Sequence, residues 1–500
     1  MKRTRNPIIL SWLAGMMLLA GRAAAQPATS YVTGMQIANL NSAPVLVSAF
    51  YYAPEDGALV EGGPAGDAIA GSSAATVYPV LPNFNGSVVV SPGQNLAVMA
   101  ELRNEADTAG AAYTGFAMPS GAVALPIIRS AGTPRPGYRI ALPMIAAPGA
   151  APADQSAGPT NLTLQNSEMT LALPRLMKAG GNMTGNTWFT VQNISTSEVQ
   201  VTVTYSDPGC VPVTLWLKPY ASQTLSQGAE VCHTQTVFPA RVSTAGRIVA
   251  AVVEENGGRM LAYRALSPQE TAATPAMPLI HFGGEFATEV LIQNTASVPT
   301  EVTVSYFPAL AGSACTETQN IPAYSARSFA LAAFTTGNVS GASTCAPGPF
   351  IGSASVTGNS AGVPLAVVVS QTAAKAGETY AAINPAQATP KVLLPWLASR
   401  GLSTTGFAVM NAGAAPTYVR CALSDAGYTP AAYLQPHAAL IINHAGQTGA
   451  RYTGVGTCSA YTDDTYTQVD DNARIAAVAI ELGSLFADRM LLYPGVNTMP

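Results

Sequence analysis

One hairpin pattern occurs four times along this chain and restricts its fold more than any other feature. From Phe189 the sequence reads FTVQNISTSEVQVTVTYSDPGC: two alternating apolar runs joined by a polar turn, then a second turn rich in Asp, Pro and Gly. Period-2 alternation on both sides of a short break predicts a β-hairpin with one buried face. The pattern returns as MQIANLNSAPVLVSAFYYAPEDG from Met35, VLIQNTASVPTEVTVSYFPALAG from Val290 and FAVMNAGAAPTYVRCALSDAG from Phe407. Each copy holds an Asn in register (Asn39, Asn193, Asn294, Asn411), and successive Asn are 154, 101 and 117 residues apart. That period exceeds a solenoid repeat and suits tandem, independent β domains of about 100 residues.

Two landmarks travel with each hairpin. An apolar run with a bend follows it (GSVVVSPGQNLAVMAEL from Gly86, ARVSTAGRIVAAVVEE from Ala240, GSASVTGNSAGVPLAVVVS from Gly352, DNARIAAVAIEL from Asp471), and then a closing Tyr: Tyr113, Tyr263, Tyr380 or Tyr493. Three copies also open on a Pro-bearing strand, LPRLM at Leu173, MPLIHF at Met277 and LPWL at Leu394. Proline donates no ladder bond, which confines these strands to an edge or a strand start. The first copy lacks such a strand, while LPII at Leu125 and LPMI at Leu142 are surplus; one of them is expected to fold back and complete the first module. The expected organisation is a β-sandwich over 26–128, a Pro/Ala/Gly-rich linker with an extra strand over 129–172, and sandwiches over 173–275, 276–390 and 391–500.

Residues 1–25 form an expected signal peptide, with Lys2, Arg3 and Arg5 before an apolar centre and cleavage after Ala25 in a small-residue run. No Cys follows the apolar centre, and the chain stops at Pro500 without an apolar tail, so neither a lipid anchor nor a transmembrane segment is expected in the mature chain. Without Lys2, Arg3, Arg5 and Arg22, 19 of the 23 basic residues remain against 27 acidic ones, a net of −8. Such a surface excludes nucleic acid as a partner, because neutralising phosphates needs a basic patch. Charged residues are only 10% of the chain, with 45 Gly and 38 Pro, a profile of exported, turn-rich β proteins. The six Cys fall two to a module in the last three, which implies an oxidising compartment. Fifteen connectivities are formally open; pairing within modules, Cys210–Cys232, Cys315–Cys345 and Cys421–Cys458, is the economical choice. It closes loops of 22, 30 and 37 residues, for which loop-closure entropy predicts about 3 to 4 kcal/mol each. The compartment expected is the cell surface or medium, or the periplasm.

Taken as a series, LPRLM, TGNTWFTVQN, VTVTY, and the G-S-A-x-V and A-V-V runs resemble the tandem immunoglobulin-like β-sandwich modules of bacterial secreted and cell-surface proteins. The resemblance covers nearly all of the mature chain, except that the first module lacks the opening strand and the Cys pair and no cell-wall sorting signal follows the last. It implies an all-β fold of four immunoglobulin-like antiparallel sandwiches and a spacer, adhesive or surface-assembly role, with a cell-surface protein or polysaccharide as partner.

The residues that carry chemistry elsewhere have structural explanations here. The aligned Asn ends a strand, where its side chain can cap the turn or tolerate a left-handed backbone. Pro219, Pro322 and Pro436 each stand before a strand whose start they set. Gly358-Asn359-Ser360-Ala361-Gly362 matches the hydrolase nucleophile motif, but Ser360 is expected in a bend between two strands with no helix to follow. His233, His281, His437 and His444 share no motif, and His233, beside Cys232, reads as a surface residue without zinc-ligand spacing. No catalytic residue and no cofactor site is therefore assigned. Asp463, Asp464, Asp470 and Asp471 crowd one segment with oxygen ligands suited to Ca²⁺, without the EF-hand order; bracketing Tyr466, two of them also suit a carbohydrate contact. Trp188, Trp216 and Trp396 are the aromatics through which a glycan-binding alternative would act.

Overall fold

The computed structural model describes residues 31–130 and 169–497, apart from 78–80, 92–95, 105–109, 118–122, 179–184, 400–402, 445–451, 484–489 and a few single or paired positions. The expected signal peptide with its cleavage point at Ala25, and the surplus segment at Leu142, lie outside the described residues. Within them the chain is nearly all antiparallel strand. The second module shows the plan: eight strands, Met169–Met177, Asn186–Asn193, Val199–Tyr205, Val213–Leu217, Ser222–Ser226, Val237–Thr244, Ile248–Asn256 and Arg259–Arg264. They form two four-stranded sheets, one ordered first-sixth-third-fourth and one fifth-second-seventh-eighth. Leu173, Val201 and Val242 of one sheet meet Phe189, Val191 and Val252 of the other in one core. The third module, from Ala276–Phe282 to Gly377–Ala381, and the fourth, from Lys391–Ser399 to Met490–Pro494, repeat both orders, each with a short added strand.

The first module reaches the same principal strand pairings by a different chain order, with its two layers joined into one nine-stranded sheet through the Val32–Ser130 pair. It begins at its second strand, Tyr31–Asn39, and its first-strand position is filled from behind by Val123–Ser130, which pairs with Phe84–Ser91. The surplus Leu125-Pro126 segment thus completes the open sheet. Its chemistry matches that of the other opening strands. In each, the ladder slips at the Pro and the residue after it (between Leu173/Leu176, Met277/Ile280, Leu394/Leu397 and, on the partner strand, Gly86/Val88). Such a bulge leaves a buried N–H and C=O without a ladder partner, which costs stability unless another group meets them. In the first three modules the closing Tyr does so; the side chain of Tyr493 lies outside the described residues. Tyr113 accepts from the Ile127 N–H (3.0 Å) and donates to its carbonyl (2.6 Å), Tyr263 serves Arg175 (3.1 and 2.5 Å), and Tyr380 serves Leu279 (3.3 and 2.8 Å). These phenols are wholly buried, and burial pushes each well above the ordinary tyrosine range.

The modules close on one another in a ring, so their interiors are continuous rather than separately sealed. Trp188, Val253 and Met260 of the second module join the core of the first, and Leu291, Ala366 and Val368 of the third join the second. Val478, Ile480 and Leu492 of the fourth join the third, and Met99 and Ala112 of the first join Phe407 and Ala477 of the fourth. The eighth strands lie side by side around the axis, Gly110–Thr114 against Arg259–Arg264, then Gly377–Ala381, then Met490–Pro494, and back to the first. This explains the uninterrupted apolar seventh strands: Ile248–Asn256 and Leu365–Thr372 are buried at seven consecutive positions, one face in their own sandwich and one against a neighbour. On the axis the buried Glu378 accepts from the Ala112 N–H of the first module (2.9 Å), the Ala262 N–H of the second (2.9 Å) and its own neighbour Thr379 (2.9 Å).

Three junctions share a further device. Tyr220, Tyr324 and His437 each occupy the third position of a tight turn with positive φ (61°, 57° and 66°), where L residues other than Asn and Asp are strained. Each aromatic reaches the preceding module: Tyr220 stacks on Tyr52 at 4.8 Å, Tyr324 lies under the Arg241 guanidinium at 3.6 Å, and His437 stacks on Phe307 at 5.2 Å. Pro219 and Pro436 pre-set φ one position earlier, which is the role their place before a strand foretold. Polar contacts add to the junctions. Gln192 donates to Ser87 Oγ (2.8 Å) and Gln293 to the Ala240 carbonyl (3.2 Å), while the buried Arg175 pairs with Glu254 (2.6 Å) and with Glu289 of the third module. Burial disfavours the Arg175 charge, but the two carboxylates outweigh it and hold the guanidinium protonated.

Candidate functional site

The four aligned Asn are fully buried and act as one repeated clamp. Asn193 Oδ1 accepts from the Ser195 N–H (2.7 Å), while Nδ2 donates to the carbonyls of Ser197 (2.8 Å), Leu217 (2.9 Å) and Lys218 (3.0 Å). Asn39, Asn294 and Asn411 repeat the turn contact and reach the corresponding carbonyls at Ile69, Ile321 and Leu434. In the last three modules the clamped segment is the one that carries the left-handed aromatic. The capping role read from sequence is thus enlarged: the side chain ties a hairpin turn to the turn that grips the neighbouring module.

All three disulfides form within modules: Cys210–Cys232, Cys315–Cys345 and Cys421–Cys458. The third directly cross-links paired strands, whereas Cys210–Cys232 ties loops. Beside the latter, His233 corrects the surface assignment: it is 7% exposed, its ring stacks on Phe238 at 3.7 Å, and Nδ1 lies 3.1 Å from Cys210 Sγ. Cys210, Cys232 and His233 are the group of potential metal ligands that converges among the described residues, but both thiols are committed to the disulfide. Burial lowers His233 to about 4, a pull that the nearby Asp207 charge opposes. Burial acts to raise Asp207, but donors at Thr234, Gly209 and Gln235 prevail and hold it at about 2. Both groups therefore bind protons more readily in the unfolded chain, so stability falls with pH from 6.5 towards 4 through His233 and from 3.8 towards 2 through Asp207. His281, His437 and His444 are lowered by burial as well, so His233→Phe is expected to flatten, not abolish, the acid slope of urea-unfolding stability between pH 6.5 and 4. An unchanged slope would refute this assignment.

Ser360 lies in a bend before the strand Leu365–Thr372, donating to Asn359 Oδ1 at 3.3 Å, with no helix behind it. Trp188 has no exposed face: Arg129 covers its ring at 4.3 Å, and its Nε1 donates to Glu255 at 2.6 Å. Trp216 stands 62% exposed on an edge strand, and the side chain of Trp396 lies outside the described residues. The carboxylates of Asp463, Asp464, Asp470 and Asp471 do not gather into a ligand group. Asp463 accepts from the N–H and hydroxyl of Thr465, which lower its pKa, and Asp470 accepts from the Asn472 N–H.

What the fold does gather is aromatic. On the outer face of the fourth module Tyr433, Tyr418 and Tyr461 lie directly opposite one another on three adjacent strands. Tyr418 and Tyr433 are 4.6 Å apart, and Tyr466 stands edge-on to Tyr418 (6.3 Å, 86°) and Tyr461 (5.5 Å, 88°). Tyr466 has φ 54° in the turn from Asp463, and Arg420 lies 5.6 Å from its ring. Tyr433 is 51% exposed, while the alternate residues Val419, Leu434 and Ala460 fill the core. Sequence reading singled out Tyr466 alone; the others lie up to 48 positions away, and only the register Tyr418↔Tyr433 and Tyr418↔Tyr461 aligns them. Searches against protein-family models and against curated proteins match no family and no relative for this chain.

Proposed function

We propose that this is an exported, non-enzymatic protein of immunoglobulin-like modules that serves as a structural or adhesive component of a bacterial surface, with a surface protein or polysaccharide as its partner. The observation that carries the reading is the closed ring. It buries the inner sheets on both faces, leaving the outer sheets as display surfaces on a rigid disulfide-bonded frame. A ring holds its first and last modules together, which favours presentation of a surface over spanning a distance. The modules keep the second–fifth and third–sixth neighbour pairs of the immunoglobulin plan, while the first, fourth and seventh strands lie in the other sheet and an eighth strand is added. Fractionation of the producing cell, with thiol titration of the denatured protein, tests the reading. A surface or periplasmic protein starting at Gln26 without free thiol is expected, and a fluorophosphonate probe should leave Ser360 unlabelled. Cytosolic protein with six free thiols, or labelling lost in Ser360→Ala, would end it.

A further inference from the structure

We infer that the tyrosine row of the fourth module is a binding site for a neutral polysaccharide. The row is built, not incidental. Period-2 geometry sends Val419, Leu434 and Ala460 inward and leaves Tyr418, Tyr433 and Tyr461 on the outer face, where filling the core does not demand an aromatic. At a strand spacing of about 4.8 Å the three side chains span roughly 10 Å across the sheet, with Tyr433 exposed and Tyr418 and Tyr461 half-buried, a row long enough for a short run of sugar rings. Tyr466 is held edge-on to Tyr418 and Tyr461 by a backbone conformation that costs free energy, in a turn kept by the Tyr466 N–H to the Asp463 carbonyl (3.4 Å) and by Thr465 on Asp463 Oδ1 (3.0 Å).

The chemistry of the rim selects the ligand. Tyrosine faces carry negative quadrupole potential and meet polarised C–H groups well, and the apolar face of a sugar ring presents such groups. Tyrosine hydroxyls and the carboxylates of the 463–471 segment accept from hydroxyl donors, which a saccharide carries around its whole edge. Four Asp outnumber the nearby cations Arg420, Lys391 in its cross-strand row and Arg474 on the Asp471 carbonyl, so the rim offers a polyanion no excess of positive charge. A proline-rich peptide would also meet tyrosine faces, but its backbone is mostly acceptor and suits an acidic rim poorly. The second module repeats the key position: Trp216, 62% exposed, lies opposite Gln200 as Tyr433 lies opposite Tyr418. In the third module the same pair is Glu301 and Asn320. Two aromatic stations on one rigid ring favour a repetitive polymer, which can engage both.

This inference takes only its setting from the adhesive reading, and affinity electrophoresis of the mature chain separates the two. Gels carry a soluble β-glucan, a galactomannan or an arabinoxylan, with alginate as the polyanion; a fluorescent proline-rich decapeptide is measured in solution. At least one neutral polymer should retard the protein, undiminished by 0.5 M NaCl, and Tyr418→Ala/Tyr433→Ala should weaken retardation about tenfold with near-UV circular dichroism retained. If the double variant misfolds, Tyr433→Ser at the exposed edge serves instead. No retardation by any neutral polymer, equal retardation of the folded variant, or binding of alginate or peptide alone would overturn the inference. A surface-located protein without retardation would lose this site and keep the scaffold reading; a retarded cytosolic protein would do the reverse.

Discussion

Replacing Glu378 with Ala is expected to destabilise the protein by about 3–5 kcal/mol and to uncouple the modules. The carboxylate meets N–H groups of the first and second modules from a strand of the third. Its removal leaves the Ala112 and Ala262 donors buried without an acceptor, each at about 1–3 kcal/mol. Three modules meet on this one side chain, so the effect should show in cooperativity as well as in midpoint. Urea unfolding, expected as a single transition for the closed native ring, should broaden or split in the variant. Glu378→Gln keeps one acceptor oxygen but turns an amide donor towards backbone N–H groups, and should fall between the two. A variant within about 0.5 kcal/mol of the native protein, with an unchanged transition, would show that the axis contributes nothing to ring closure.

The second large effect is at Asn193. Asn193→Ala removes one acceptor and an NH2 whose two hydrogens serve three carbonyls at a fully buried position, which places the loss at about 3–5 kcal/mol. The clamp holds the Lys218–Ala221 turn, so the loss should extend to the stacking of Tyr220 on Tyr52 of the first module. Combining Asn193→Ala with Tyr220→Ala should then cost less than the sum of the single changes, because one side chain acts through the other. Full additivity in urea-unfolding free energies would separate the two and refute the coupling.

Much of this architecture was legible beforehand. The alternation around Asn39, Asn193, Asn294 and Asn411 located the hairpins, and the paired cysteines matched the bonds that form. The two surplus Leu-Pro segments, at Leu125 and Leu142, announced that one of them completes the first module, since an edge left open by one missing strand needs another of the same kind, and the one at Leu125 fills it. The closing Tyr was visible as a landmark but not as the partner of the bulge after Pro. That contact joins residues 14 positions apart in the first module and 88 or 101 in the next two, and no local pattern records it. His233 was misplaced because a histidine beside a disulfide has no sequence mark that tells a stacked, buried ring from an exposed one.

By itself the sequence determined the repeated unit, because strand periodicity, turn residues and cysteine spacing act over a few residues to a few tens. Only the tertiary structure decided that the units close into a ring, that a carboxylate sits on its axis, and that four tyrosines share an outer face. The uninterrupted runs IVAAVV and LAVVV state that a strand is buried on both sides, but not what covers the second side. That choice depends on shape and hydrogen-bond complementarity between surfaces hundreds of residues apart, which composition and periodicity do not encode.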